Sequence, residues 1–478
     1  METLYTQLIL DEYGGEGGVT IGPYVYYVFR DGDYNILVPR INSRYISLLY
    51  ILRELARKYP RKEDLPNITS NYTFENLYRY LVERIEEDIK SYEGAALLDE
   101  EAHDLAILTF WECIGLSRVA PFLYPDFIEE TYCDGPGTRI YVRHVELGTM
   151  DTDIYLTGME LEALINHIEM HKGTSIDLVK GNIESEIRTD DFHCRVIIDF
   201  EPLAYRGPHI IIRNLGGRRL SIIDLINNGT ISIEAAAFLI LALWLRRNVT
   251  IAGEVYSGKT TLLNALDQCI PRRFRRVYIE DALESLDMRG EGFKQAFYRA
   301  ETYSNILEKR RQLIFTLHRT PDILILGELL TNEDIKTFFY SLSCGLRGLQ
   351  TIHAEDIHSL INRWRYQANI NIELINETDL IVIMKRTPDG KRYVEGIYET
   401  YIRDGLFRIR PIFSRIDDKL QMNIDINNTK IYQKMVNIIG QSKLTRLYHS
   451  ILEALNKEDI GQTVDSLNEI YRVVVERG

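Results

Sequence analysis

Residues 247–261 read RNVTIAGEVYSGKTT, and the fold class follows from how that stretch is punctuated. The β-branched run Val249-Thr250-Ile251 predicts a buried strand, and it stops at Gly253. Gly258, Lys259 and Thr260 come next, and then Leu262, Leu263, Leu266 and Ile270 recur at helical spacing. A G-x-x-x-x-G-K-[ST] pattern between a strand and a helix is the context of a phosphate-binding loop. Its glycines let backbone N–H groups converge on anionic oxygens, and the helix N-terminus adds its positive end. Gly253, Glu254, Val255, Tyr256, Ser257, Gly258, Lys259, Thr260 and Thr261 are therefore the candidate nucleotide-binding segment. Lys259 is placed to reach β- and γ-phosphates, and the Thr260 hydroxyl to hold Mg²⁺. The competing reading, an incidental glycine-rich turn, does not explain the flanking strand and helix.

A chain of 478 residues implies about two to four domains. Its 45% hydrophobic and 26% charged content is that of an ordinary globular protein. A net charge of −14 argues against nucleic acid as the main partner. The cysteines at 113, 133, 194, 269 and 344 form no C-x-x-C pair, so neither a zinc ribbon nor a disulfide framework is expected, and a reducing cytoplasm is the simplest setting. The opening METLYTQLILDEYGG lacks a signal-peptide pattern. The longest apolar stretch, Ala235 to Leu245, is too short to span a bilayer and reads as a buried helix. Work at a membrane would be done from outside the bilayer.

Five segments are expected. Residues 1–120 form an α+β module, with strands at 25–29 and 34–38 around Asp31-Gly32-Asp33 and helices at about 42–58, 75–92 and 100–116. Residues 121–215 alternate short strands with one helix at 160–171. Residues 216–231, with Gly216-Gly217 and Asn227-Asn228-Gly229, suit a linker. Residues 232–385 form an α/β core whose strands end in Gly253, Glu280-Asp281, Gly327-Glu328 and His353. Ligands bind at the carboxyl ends of such strands, so Lys259, Glu280, Glu328 and His353 are expected to converge. Residues 386–478 read as a hairpin around Pro388-Asp389-Gly390 followed by helices, the clearest at 431–439 and 444–455.

The phosphate loop is followed by IED at 279–281, PDILILGE at 321–328 and GLQTIHA at 348–354. In that order they resemble the phosphate loop, acidic box, atypical Walker B strand and histidine box of the secretion ATPases, the motors of type II secretion, type IV pili and archaella. PDFIEE at 125–130, HIIIR at 209–213 and TDLIV at 378–382 are similar to segments of the archaeal branch. The resemblance covers about 120–400. It implies a RecA-like P-loop core with an upstream α+β (PAS-like) domain, the N-terminal α+β module and a helical C-terminal tail. It implies ATP and Mg²⁺ as cofactors, and nucleotide held between the N-terminal and RecA-like domains of a subunit. It also implies a cytoplasmic homohexamer, peripheral at the inner face of the cell membrane, that assembles a pilus-type filament through a polytopic membrane platform protein. No stable nucleic-acid partner is expected. A ring subunit with little hydrolysis, and a type IV secretion motor, are the competing readings.

Phosphoryl transfer needs charge neutralisation and an oriented water. Glu328 ends an apolar strand, the place for a carboxylate that holds metal and orders water, so Thr260 and Glu328 are the metal candidates. By the resemblance, Glu280 polarises the attacking water, His353 senses the nucleotide state, and Arg195 and Arg213 supply charge to the γ-phosphate. The bland alternatives are surface acids for Glu280 and Glu284, a core histidine for His353, structural arginines on strand edges, and a solvated basic turn for Arg272, Arg273, Arg275 and Arg276. Three positions depart from the family pattern. His318 and Leu330 stand where it has arginine, and Leu346 where it has histidine. Arg319 and Arg347, one residue away from two of these gaps, are the candidate substitutes.

Overall fold

The apolar stretch that the sequence marks as a buried helix runs from Ile233 to Trp244, and Ala235 to Trp244 are buried without interruption. A helix that is apolar all round must be covered all round. Sheet lies on one side of it, and C-terminal helices such as Gln441–Leu455 complete the same core. That sheet has nine strands. In chain order they are β10 (Val249–Gly253), β11 (Arg275–Glu280), β12 (Lys294–Arg299), β13 (Ile323–Leu329), β14 (Gly348–His353), β15 (Leu380–Arg386), β16 (Arg392–Arg403), β17 (Leu406–Ile416) and β18 (Lys419–Met422). Their spatial order is β12-β11-β13-β14-β10-β15-β16-β17-β18. The first six in that order pair in parallel and the remainder antiparallel. A second core covers the other face, built from Ala252, Ile279, Leu326, Ile352, Ile383 and the helices beside them. With both faces covered, β10 and β14 bury almost every residue, Thr250, Gln350 and Thr351 included, and β15 opens on the unbroken apolar run Leu380 to Met384. The result is an α/β core with a helical C-terminal region.

This computed structural model describes residues 18–476 except 32–33, 47, 62–63, 65–71, 92–97, 146, 174–180, 217–218, 282, 301–305, 388–389 and 457–459. The turn residues Gly32 and Asp33, the linker residue Gly217 and the Pro388-Asp389 turn lie outside that range of description. The chain divides into two units, Met1–Arg218 and Arg219–Gly478. In the first, β1 (Val19–Ile21), β2 (Tyr24–Asp31), β3 (Tyr34–Ile41), β4 (Ile128–Cys133), β5 (Arg139–His144), β6 (Gly148–Tyr155), β7 (Asn182–Arg188), β8 (His193–Asp199) and β9 (His209–Asn214) form one sheet ordered β1-β2-β3-β6-β5-β4-β9-β8-β7. Helices Phe74–Lys90, Asp99–Cys113 and Gly158–Lys172 share one core with it.

Three expectations change. The boundary at 120/121 falls inside the first unit, because β3 pairs with β6 and Tyr24, Tyr26, Leu37 and Ile41 enter the core that Ile140, Val142 and Ile154 build. The 216–231 linker contains the helix Ile222–Asn227, started by Ser221, whose hydroxyl accepts from the Asp224 N–H while the Asp224 carboxylate accepts from the Ser221 N–H. Gly229 and Thr230 are then pinned to the second unit, because Arg415 and the Val394 N–H donate to their carbonyls. Finally, the hairpin expected around 388–390 joins β15 to β16 as antiparallel partners, and β17 and β18 extend the sheet beyond it before the helices begin. In RYVEGIYETYIR the buried residues are Val394, Gly396, Ile397, Glu399 and Thr400, scattered among part-exposed ones, so there is no apolar run to see. β12 escapes detection for a related reason: it is an edge strand with no fully buried residue.

Candidate functional site

β10 delivers the chain to Gly253 at the carboxyl end of the sheet. A Cβ there would lie 2.5 Å from both Met384 O and Ser257 Oγ, so only glycine fits. Ser257 is fully buried and its hydroxyl donates to Glu254 O at 2.8 Å. Tyr256 has φ of +62°, a region that non-glycine residues enter at a cost and that clusters at ligand sites. Gly258, at φ +89°, caps the helix Lys259–Gln268. The nine predicted loop residues thus form a tight bend ending on a helix N-terminus, the geometry that cradles phosphate.

Lys259 is the centre of a polar chain. Its Nζ donates to Glu254 O at 2.8 Å and lies 3.2 Å from His353 Nδ1. His353 Nε2 lies 2.5 Å from Glu328 Oε1. An ammonium can only donate, so Nδ1 accepts and the imidazole proton is on Nε2, donated to Glu328. Histidine and carboxylate come from the ends of β14 and β13, the lysine from the start of the helix that follows β10, and the structure brings them together.

Glu280 ends β11 and is buried. The Ser285 hydroxyl donates to its Oε1. Burial pushes its carboxyl up to about 7, with the Glu284 charge adding and the Ser285 hydrogen bond opposing. Glu280 reaches the end of β13 because residue 327 is glycine: a Cβ there would lie 2.9 Å from Glu280 Cγ. Thr260 Oγ1 donates to Glu284 Oε2 at 3.1 Å, and Asn264 Nδ2 donates to Glu284 O at 2.9 Å. Among the described residues no set of three His, Cys, Asp or Glu side chains could hold a metal by itself. A Mg²⁺ carried by nucleotide phosphates needs only one or two protein oxygens. Thr260 beside Glu284 fits that demand, and Glu328 is the further carboxylate.

Two contributors escape the motif reading. Glu284, four residues after Glu280, was equally readable as a surface acid, yet it accepts the hydrogen bond of the predicted metal ligand. Arg363 donates from NH1 to His353 O at 2.8 Å and from NH2 to Leu330 O at 2.7 Å, tying the ends of β13 and β14 together. Its spacing of ten residues from His353 is the only local signal, and it is weak.

The other candidates fall elsewhere. Arg319 precedes β13 and Arg347 precedes β14, so both stand at the amino edge of the sheet. Strands of six and seven residues are about 20 Å long, which puts that edge far from Lys259. Arg319 lies over the Tyr298 ring and donates to Gln312, while Arg347 donates to Leu342 O and Leu346 O. Neither substitutes for a group at the loop. His318 and Leu346 share that edge, so of the three departures only Leu330 borders the site. The basic stretch near 272–276 is no solvated turn throughout. Arg276 is fully buried, 3.2 Å from Asp267 Oδ1 and packed over Phe293, and Arg272 pairs with Asp465 at 2.7 Å. Arg195 and Arg213 stand directly opposite each other on β8 and β9 of the first unit. Arg195 Nε is 3.3 Å from Glu184, and Arg213 Nε is 3.8 Å from Glu130.

A family model described as type II/IV secretion system protein matches residues 179–389, the stretch that contains this site. The chain is 36% identical over 176 residues to the uncharacterised protein MJ1287 of Methanocaldococcus jannaschii, covering 36% of this chain and 64% of that protein. It is 28% identical over 218 residues to the probable conjugal transfer protein TrbB of Sinorhizobium fredii, covering 44% of this chain and 65% of that protein. The chain thus spans somewhat less than two thirds of either relative's length. Among solved structures it is similar to the Legionella pneumophila ATPase DotB, at 15% identity with a TM-score of 0.45, covering 72% of this chain and 87% of that one.

Proposed function

We propose that this chain is an Mg²⁺-dependent, ATP-hydrolysing motor subunit that drives assembly of a type IV pilus-like filament. The observation that carries the reading is the Lys259–His353–Glu328 chain at the mouth of the phosphate loop. Lys259 binds β- and γ-phosphate oxygens, and the metal bridges them from Thr260. Glu328 orients the attacking water. Glu280, whose carboxyl burial pushes up to about 7, is only partly ionised near pH 7 and packs its Cγ against Gly327 at the end of β13. His353 links phosphate to carboxylate: once Lys259 turns to a γ-phosphate, Nδ1 loses its donor, so the bond to Glu328 responds to the nucleotide. The working form is a homohexamer that acts on a polytopic membrane platform protein at the inner face of the cell membrane. Among the described residues no helix is long and apolar enough to cross a membrane, which leaves that partner to supply the spans.

A second reading is a nucleotide-binding ring subunit with slow turnover. It draws on Leu330 at the site and on the placement of Arg319 and Arg347 at the far edge. Phosphate release with Mg²⁺ and ATP tests both, with Lys259→Ala and Glu328→Gln beside the wild type and nucleotide binding measured for each. Turnover that disappears in both variants supports the motor. Binding without turnover, even with membrane extract added, favours the second reading. Undiminished turnover in Lys259→Ala removes the site assignment.

A further inference from the structure

Gly258 closes the phosphate loop, and what lies against it comes from far along the chain. A Cβ on Gly258 would lie 3.2 Å from Arg392 Cδ, 3.6 Å from Arg392 Cβ and 3.5 Å from Met384 Cε. The stem of Arg392, the first residue of β16, therefore runs along the last loop residue before Lys259. Its backbone is held firmly. Arg392 stands opposite Arg386 in the β15–β16 ladder, and its carbonyl accepts from Thr230 Oγ1 at 3.2 Å. Two residues on, the Val394 N–H donates to Thr230 O at 2.8 Å. A rigid strand thus carries a permanently charged guanidinium to the flank of an anion-binding loop.

Strand order decides which part of a nucleotide that flank serves. β10 stands between β14 and β15. His353 on β14 and Glu328 on β13 occupy one side and mark the reacting end. β15 and β16 occupy the other. A nucleotide whose γ-phosphate points toward His353 and Glu328 extends its α-phosphate away from them, toward the Arg392 side. We propose that Arg392 is a nucleotide-binding residue, a cation for the α-phosphate supplied by β16 of the same chain. This rests on the nucleotide-binding reading of the loop and adds to it a contact that no loop motif contains. A guanidinium aimed at phosphate oxygens forms charge-assisted hydrogen bonds, which are stronger than neutral ones.

A stem that merely props the loop would make the same packing contact, so the test separates charge from bulk. Arg392→Met keeps a long apolar stem without charge, and Arg392→Lys keeps a cation. ADP binding to the full chain is measured by calorimetry, with Lys259→Ala as the control for the loop. We expect Arg392→Met to weaken ADP about tenfold and to bind with a shallower salt dependence, and Arg392→Lys to lose less than Arg392→Met. Arg392→Gln repeats the comparison should methionine disturb the packing. Wild-type affinity in Arg392→Met, or affinity above that of Arg392→Lys, overturns the assignment and leaves Arg392 as a prop. A wild-type chain that does not bind ADP overturns the nucleotide reading, and this inference with it. Tight wild-type binding abolished by Lys259→Ala but untouched by Arg392→Met overturns this inference alone.

Discussion

The two nine-stranded sheets handle charge in opposite ways. In the first unit, β7, β8 and β9 alternate buried and half-buried residues, because only one face enters the core. Charged side chains therefore stand along the length of the strands, with Arg195 beside Arg213 and Glu184 and Glu130 as their partners. In the second unit β10, β14 and β15 are covered on both faces, and a charge within them would lose its water without gaining a partner. Chemistry is pushed to the strand ends, and there Lys259, Glu280, Glu328 and His353 meet. A sheet buried on both sides concentrates its polar groups at an edge, and a sheet buried on one side spreads them over a face.

The largest expected effect falls on that edge. Lys259→Ala should lower phosphate release about a thousandfold, since the loop lysine neutralises developing charge; a stopped colorimetric assay reads it. Next comes the asymmetry of the strands themselves. Ile251→Ala, in fully buried β10, should cost about 2–5 kcal/mol in denaturant unfolding. Ile197→Ala, half-buried on β8, should cost under about 1.5 kcal/mol. Equal costs would break the comparison.

The pH dependence sharpens it. Glu280 is a carboxyl whose folded-state value is raised, from 4.5 unfolded to about 7. The native state therefore holds that proton more tightly than the unfolded state does. Its contribution is neutral below pH 4.5 and becomes increasingly destabilising up to about pH 7, by about 3 kcal/mol in all. Glu280→Gln should flatten that segment of the stability curve, and an unchanged slope would place the cost elsewhere. Gly327→Ala, which intrudes on Glu280 Cγ, should lower turnover about tenfold with a smaller loss of stability. At the amino edge, Arg319→Ala and Arg347→Ala should leave turnover within about twofold. A large loss in either would mean that the far edge of the sheet reports to the site.

Legibility followed the range of the interactions. The loop was readable because strand, glycines, lysine and helix are contiguous, and so was the order in which Glu280, Glu328 and His353 close their strands. Arg319 and Arg347 misled for the same reason: each is one residue from a departure in sequence, but a strand's length from the loop in space. β12, β17 and β18 were missed because partly exposed strands lack apolar runs, whereas β16 is an arm of the hairpin expected around 388–390; the 120/121 boundary was missed because β3 finds its partner, β6, beyond it.

The sequence by itself determined the α/β class, the glycine-punctuated loop between strand and helix and the residues that end the strands, since strand period, glycine conformation and helix start are local properties of the chain. Only the tertiary structure decided that His353 bridges Lys259 and Glu328, that Glu284 takes the Thr260 hydroxyl, that Gly327 admits Glu280, and that Arg392 runs along Gly258. Each of these contacts joins segments brought together by strand pairing and order. That register is fixed by how the whole core packs, which no local stretch encodes.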